Sequence, residues 1–351
     1  MAEAGGVKPS SLRSRRRGRA GELSGGDRVL RGAGGVASLI PGALLGFIAV
    51  VMVITALPAI RFSGVNFFTG RVFSLGNLYD AGTVSHNGVS APAGAVYGAL
   101  PLIVGTLATS LIALALALPV SVGGVLMLTE WVPRRLQSGL SVFLELLAGI
   151  PSVVFGLWGV TVLGPWAAHH LYPLLAQLGA VIPWLRGPVG SGQGLFTAAL
   201  VLAVMIVPII ASTTRELLGR VPVLAREGAF ALGMTRYETV RTVTLPYVRT
   251  GIIAAALLGW GRALGETIAV LLISGNALNI LPQTIYSPAS TLASTIAAIL
   301  DGALTDSSGM GVRALAEVGS LLLILSVLTN LAGRLVVRRV SGAALPVGRG
   351  I

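Results

Sequence analysis

Arg262 and Glu266 are the only charged residues in an otherwise apolar run, 251–281. A charged side chain at the centre of a membrane helix costs about 2.5–3.5 kcal/mol on insertion scales, so such residues need a reason to be there. Four positions apart, they fall on one face of a predicted helix. Two readings stay open. As a mutual ion pair, they make the run tolerable in lipid. As a site, the guanidinium stays charged and presents a planar fork to an oxyanion, with Glu266 holding the fork in place. A second group lies just upstream. Residues 227–246, EGAFALGMTRYETVRTVTLP, form a polar island between two long apolar runs, with Glu227, Gly228, Ala229, Gly233, Leu245 and Pro246 as its punctuation.

Covalent catalysis finds little to work with. The histidines are His86, His169 and His170, and no Ser-His-Asp set or pair of catalytic carboxylates can be assembled around them. With no cysteine there is no disulfide framework and no thiolate metal site. The phosphate loop G-x-x-x-x-G-K-S/T is missing, and Gly259-Trp260-Gly261 is too short a signal for nucleotide binding. The chain reads as neither an ATPase nor any other enzyme, and no cofactor or metal is expected in it.

The elements that must position these residues are membrane helices. The chain of 351 residues is 54% hydrophobic and 11% charged, with a mean hydropathy of +0.85. Soluble domains run at about 25% charged. Six runs reach the length of about 20 residues that a bilayer demands: 36–60, 95–128, 139–164, 195–214, 251–281 and 315–333. The segment 171–184, with Pro173 and Pro183, reads as an outer-face or re-entrant element. Pro119 predicts a kink in the second run, and Gly149 with Pro151 a break near the middle of the third. The net charge of +12 is a matter of topology. Arginines cluster before the first run, between the second and third, across 215–250 and after the sixth, which places both termini and the 215–250 loop in the cytoplasm. No nucleic-acid partner is implied. Residues 1–35 read as a disordered basic N-terminus and 341–351 as a cytoplasmic tail. Glu145 and Glu317 read as helix-end groups, and His86 as a loop residue.

The island resembles the cytoplasmic loop of ABC-importer permeases, whose pattern is Glu-Ala-Ala, three residues, Gly, nine residues and Ile-x-Leu-Pro. Gly228 stands at the first alanine and Val243 at the isoleucine. Two further stretches, GWGRALGETIAVLLISGN at 259–276 and ELLAGIPSVVFGLWGV at 145–160, resemble the PstC-type permeases of bacterial phosphate-specific importers. The PstA-type sister subunit shares the architecture, but Ile268-Ala269-Val270 and Gly275-Asn276 favour the PstC type. A permease for sulfate or molybdate is the alternative within the class. A secondary transporter or channel is the alternative outside it, although such proteins usually show internal repeats or several intramembrane carboxylates.

The resemblance implies an all-α integral protein of the bacterial cell membrane, with about six transmembrane helices in the type I ABC-importer permease fold. It implies a heterodimer with a PstA-type permease, a PstB-type ATPase dimer that carries ATP and Mg, and an extracytoplasmic phosphate-binding protein of the PstS type. In that frame Glu227 opens a short helix, Gly233 ends it, and Tyr237–Val243 forms a second short helix. Pro246 sets the entry to the fifth span, and Ala229, Phe230 and Leu232 supply the apolar contact with the motor. Arg262 faces the path and meets phosphate oxygens. Glu266 accepts from a protonated phosphate oxygen, which sulfate lacks at neutral pH.

Overall fold

Lipid cannot satisfy backbone N–H and C=O groups, so apolar runs of this length fold as helices. The computed structural model describes residues 25–77 and 82–342, in two compact units, 1–51 and 52–351. Helix α1 runs Gly25–Ser63. The segment expected to be disordered over 1–35 is helical from Gly25 onward, in a helix that runs on through Pro41 and Pro58, while residues 1–24 lie outside the described residues. Of the expected tail, residues 343–351 also lie outside them.

The first outer segment is not all loop. A one-turn helix, Asn66–Thr69, precedes two small antiparallel pairs. One pairs β1 (Phe73–Ser74) with β4 (Val96–Tyr97), and the other pairs β2 (Thr83–His86) with β3 (Val89–Pro92), His86 facing Val89. Asn87 and Gly88, with φ of 52° and 75°, make the tight turn between β2 and β3, the backbone that Asn-Gly favours in a two-residue hairpin.

Helix α2, Leu100–Glu130, continues through Pro119. The third predicted span, 139–164, breaks where Gly149 and Pro151 lead one to expect, sharply enough to leave two helices. Helix α3, Arg134–Ala148, and helix α4, Ser152–Ala180, meet at 92°. Pro151 disfavours helical backbone at Ile150, so the turn at Gly149–Pro151 ends one helix and starts another. Only together do α3 and α4 make one bent candidate span, and the segment 171–184 supplies the end of α4 and two short 3₁₀ turns. Helix α5 is Leu195–Leu218, α6 is Val223–Ala231 and α7 is Arg236–Leu264. The fifth span thus begins and ends earlier than 251–281. A short α8 follows at Ile268–Ile273, then α9 at Leu292–Thr305 and α10 at Met310–Gly342. Among the described residues, five helices are long and apolar enough to cross a membrane, or six if the bent pair is one span.

Three prolines in these helices follow a common device. Widened π-type turns at Gly159–Leu163, Ala167–Leu171 and Val240–Thr244 end two residues before Pro165, Pro173 and Pro246. A proline has no N–H and its ring presses on the carbonyl four residues back. The extra residue in the preceding turn relieves that contact, so the helix runs on.

Helix α5 packs against α2 and α7. The contact is built from small residues: Ala113 and Ala117 on α2, Ala198 and Ala203 on α5, Ala255 and Ala263 on α7, all buried. Small side chains let backbones approach where no hydrophobic driving force separates helix from lipid. Gly259 makes the point, because a Cβ there would lie 2.9 Å from the Ile210 side chain. A second core joins Ala59 and Phe62 of α1 to Phe67, Phe73, Tyr97, Leu102, Leu292, Met310 and Val318. Beside it Glu317 is corrected from a helix-end group to a buried one, 4% exposed, whose carboxylate accepts from Ser63 Oγ at 3.2 Å.

Asp306 starts α10. It accepts from the backbone N–H of Gly311 at 2.7 Å and of Ser308 at 2.9 Å, and from the Ser308 hydroxyl. Burial pushes its carboxyl up, but these donors outweigh burial and hold it below the ordinary carboxylate value. A depressed folded pKa stabilises above the unfolded value of about 4 and loses that contribution as pH falls through the folded one. Asp306→Ala should cost about 1 kcal/mol. In a melting series the wild-type advantage should shrink below pH 4.

Candidate coupling elbow and anion route

The island folds as a stiff bend. Pro222, with φ near the value a first helical turn requires, sets the start of α6 four residues earlier than expected. Glu227 therefore sits mid-helix and exposed, not at the first turn. At the far end Gly233 has φ +80°. The Met234 N–H donates to the Ala229 carbonyl at 3.1 Å and the Gly233 N–H to that of Phe230 at 2.9 Å, the Schellman pattern for closing a helix. Two residues on, a capping box opens α7: Glu238 N–H donates to Thr235 Oγ1 at 3.3 Å and Thr235 N–H to Glu238 Oε2 at 2.7 Å. With both helix ends satisfied over a short turn, the two arms hold a fixed angle.

Three expectations change here. The second arm is not a separate helix at Tyr237–Val243. It is the start of the fifth span, and Pro246 lies inside that span behind a widened turn. Ala229 is 5% exposed and faces the protein, so it is not part of an outward contact. Phe230 and Leu232 are exposed, as that contact requires, and Val223 and Leu224 join them; Leu224 and Leu232 are 81% and 80% exposed. Gly228 is exposed on the same arm, and Leu245 is partly buried behind the bend. No atom lies within 4 Å of where a Gly233 Cβ would be, so a side chain there meets only backbone strain. Gly233→Ala should cost about 1–2 kcal/mol, and Gly233→Asn less. Melting of the purified chain reads both.

A residue that the sequence reading passed over holds the bend to α2. The Arg226 guanidinium of α6 pairs with the Glu130 carboxylate. From the other arm, Arg236 Nη1 donates to the Glu130 carbonyl at 2.8 Å. Gln137 of α3 donates to the Val132 carbonyl at 2.8 Å and fixes the corner that follows.

Arg262 and Glu266 do not share a helical face. Helix α7 ends at Leu264, where the Gly265 N–H turns back to the Arg262 carbonyl at 3.2 Å, and α8 starts only at Ile268. Glu266 occupies the break, half-buried, and no ion pair or hydrogen bond joins it to Arg262. The glycine after Leu264 ends the helix before a face can form, which removes the mutual-pair reading. Arg262 is exposed in the last turn, where a cation meets the partial negative charge of a helix C-terminus. Its helix is held firmly. Trp260 Nε1 donates to Ser110 Oγ on α2 at 3.1 Å, and a Cβ on Gly333 of α10 would lie 2.6 Å from Leu257.

Comparison with known proteins follows the same lines. The family described as "Binding-protein-dependent transport system inner membrane component" matches residues 120–342. The chain is 53% identical, over 95% of its own length and 99% of the relative's, to phosphate transport system permease protein PstC 1 of Mycobacterium tuberculosis. It is 41% identical to phosphate transport system permease protein PstC of Haemophilus influenzae, covering 69% of this chain and 76% of that one. Among solved structures, the bacterial alginate ABC transporter in complex with an alginate pentasaccharide-bound periplasmic protein is similar with a TM-score of 0.55. That match is 17% identical and covers 89% of this chain and 96% of that one. At such identity the likeness speaks for the fold.

Proposed function

Because this chain belongs to the family of binding-protein-dependent transport system inner membrane components, we propose that it is the permease subunit of an ATP-driven importer of inorganic phosphate. It is a multi-pass membrane protein of a transport family, and it works with an ATPase and a substrate-binding protein supplied by other chains. The finer assignments follow the PstC-type relatives. The sister permease is of the PstA type, the motor a PstB-type dimer carrying ATP and Mg, and the receptor an extracytoplasmic phosphate-binding protein of the PstS type. Both termini and the elbow face the cytoplasm in this reading, which the arginine distribution supports.

The observation that carries this reading is the elbow itself, a bend closed at both helix ends that presents Leu224, Phe230 and Leu232 outward. A motor groove closing on such a knob moves α6 and α7 together. Binding of ATP draws the motor subunits inward, the elbows follow, and the path opens outward to receive phosphate. Hydrolysis returns it inward. Arg262 supplies the fixed positive charge on the route. Glu266 lies in the break beyond it and accepts a hydrogen bond from a protonated phosphate oxygen.

Reconstitution of the complex with its motor and receptor tests the reading. Phosphate uptake should require ATP, stop with vanadate and resist competition by sulfate and molybdate. Uptake that persists without the ATPase would contradict it.

A further inference from the structure

The end of α2 receives one cation from each arm of the elbow. Arg226 of α6 pairs with the Glu130 carboxylate, and Arg236, in the first turn of α7, donates to the carbonyl of the same residue. Two features make this place suited to cations. The last carbonyls of a helix lack helical partners, and the helix C-terminus carries partial negative charge. The side chains are sheltered, Glu130 at 14% and Arg226 at 29% exposure, so removing either leaves the other charge poorly solvated.

Connectivity decides what the tie can do. The elbow reaches α5 through the short link at Gly219–Pro222 and reaches α7 by unbroken helix. Helix α2 is remote in sequence, with 96 positions separating Glu130 from Arg226, yet it packs along α5 and α7. A rigid bend moves what is fastened to it, and the Glu130–Arg226 pair fastens the first arm of the elbow to the end of α2. We propose that Glu130 is a positioning residue whose pair with Arg226 delivers elbow movement to α2, so that α2 turns with α7 during each motor stroke. This rests on the reading of the elbow as the seat of the motor.

The test uses the assembled complex with motor and receptor, in which phosphate uptake and ATP hydrolysis are measured together. Glu130→Gln should leave the motor bound and hydrolysing ATP, while uptake per ATP falls about tenfold or more. Arg226→Glu should do the same. The swap that combines Glu130→Arg with Arg226→Glu should recover much of the ratio, a rescue that loss of general stability would not give. Should Glu130→Gln fail to insert, Arg226→Lys, which keeps the charge and loses the fork, should show the same fall at smaller size. An unchanged uptake-to-hydrolysis ratio in Glu130→Gln, or a swap no better than Arg226→Glu alone, overturns the latch. Failure of the wild-type chain to retain the motor strikes the elbow reading itself, and is told apart by appearing before any substitution is made.

Discussion

Replacing Leu224 and Leu232 together with aspartate should strip the motor from the complex and end ATP-driven uptake, with the permease still inserted. Both side chains lie almost wholly in solvent on the outer surface of the elbow, so the isolated chain loses no core contact when they change. Burying a leucine is worth about 1.5–3 kcal/mol. Forfeiting two such contacts costs about 3 kcal/mol or more, hence about two orders of magnitude in affinity. Burial of the new carboxylates against a motor surface adds to that loss. Co-purification of the ATPase reads the effect. Ala229→Ser, on the buried side of the same helix, should leave the motor attached.

Arg262→Gln should lower phosphate uptake about 10- to 100-fold, because a hydrogen bond to a charged group is worth about 1.5–3 kcal/mol. The motor should remain bound, since the elbow lies at the opposite end of α7. Arg262→Lys keeps the charge but not the fork and should fall between the two. The residue sits at a helix end and pairs with no carboxylate of α7 or α8, so the substitution leaves no stranded partner inside the chain. Uptake at the wild-type rate would remove Arg262 from the route.

The membrane character and the helical class were legible because lipid leaves the backbone few options, and the runs of apolar residues mark them directly. The elbow was legible in part. Glycine at 233 announced its positive φ, whereas the start of α6 was misplaced because Pro222, not Glu227, sets it. The break in the third span was legible in Gly149 and Pro151, though not its size of 92°, whereas the end of the fifth span was misplaced. Apolar residues resume at Ile268 after Gly265–Thr267, so the hydropathy of 251–281 does not register that the helix stops at Leu264. The hairpin at Asn87-Gly88 was open to view, because that dipeptide is a strong turn signal, but it hides inside a segment that reads as loop. The Glu130 tie was not legible. Pairing across 96 positions depends on how α2 packs, and no local spacing encodes it.

The chain contains no cysteine, which makes the most direct test a single Leu232→Cys carrying a short cross-linker in the intact, functioning complex. The account predicts an adduct between this position and the ATPase, formed from the cytoplasmic side and changing in yield when nucleotide is added. An adduct with the extracytoplasmic receptor instead, or none with the ATPase in a complex that still transports, would contradict it.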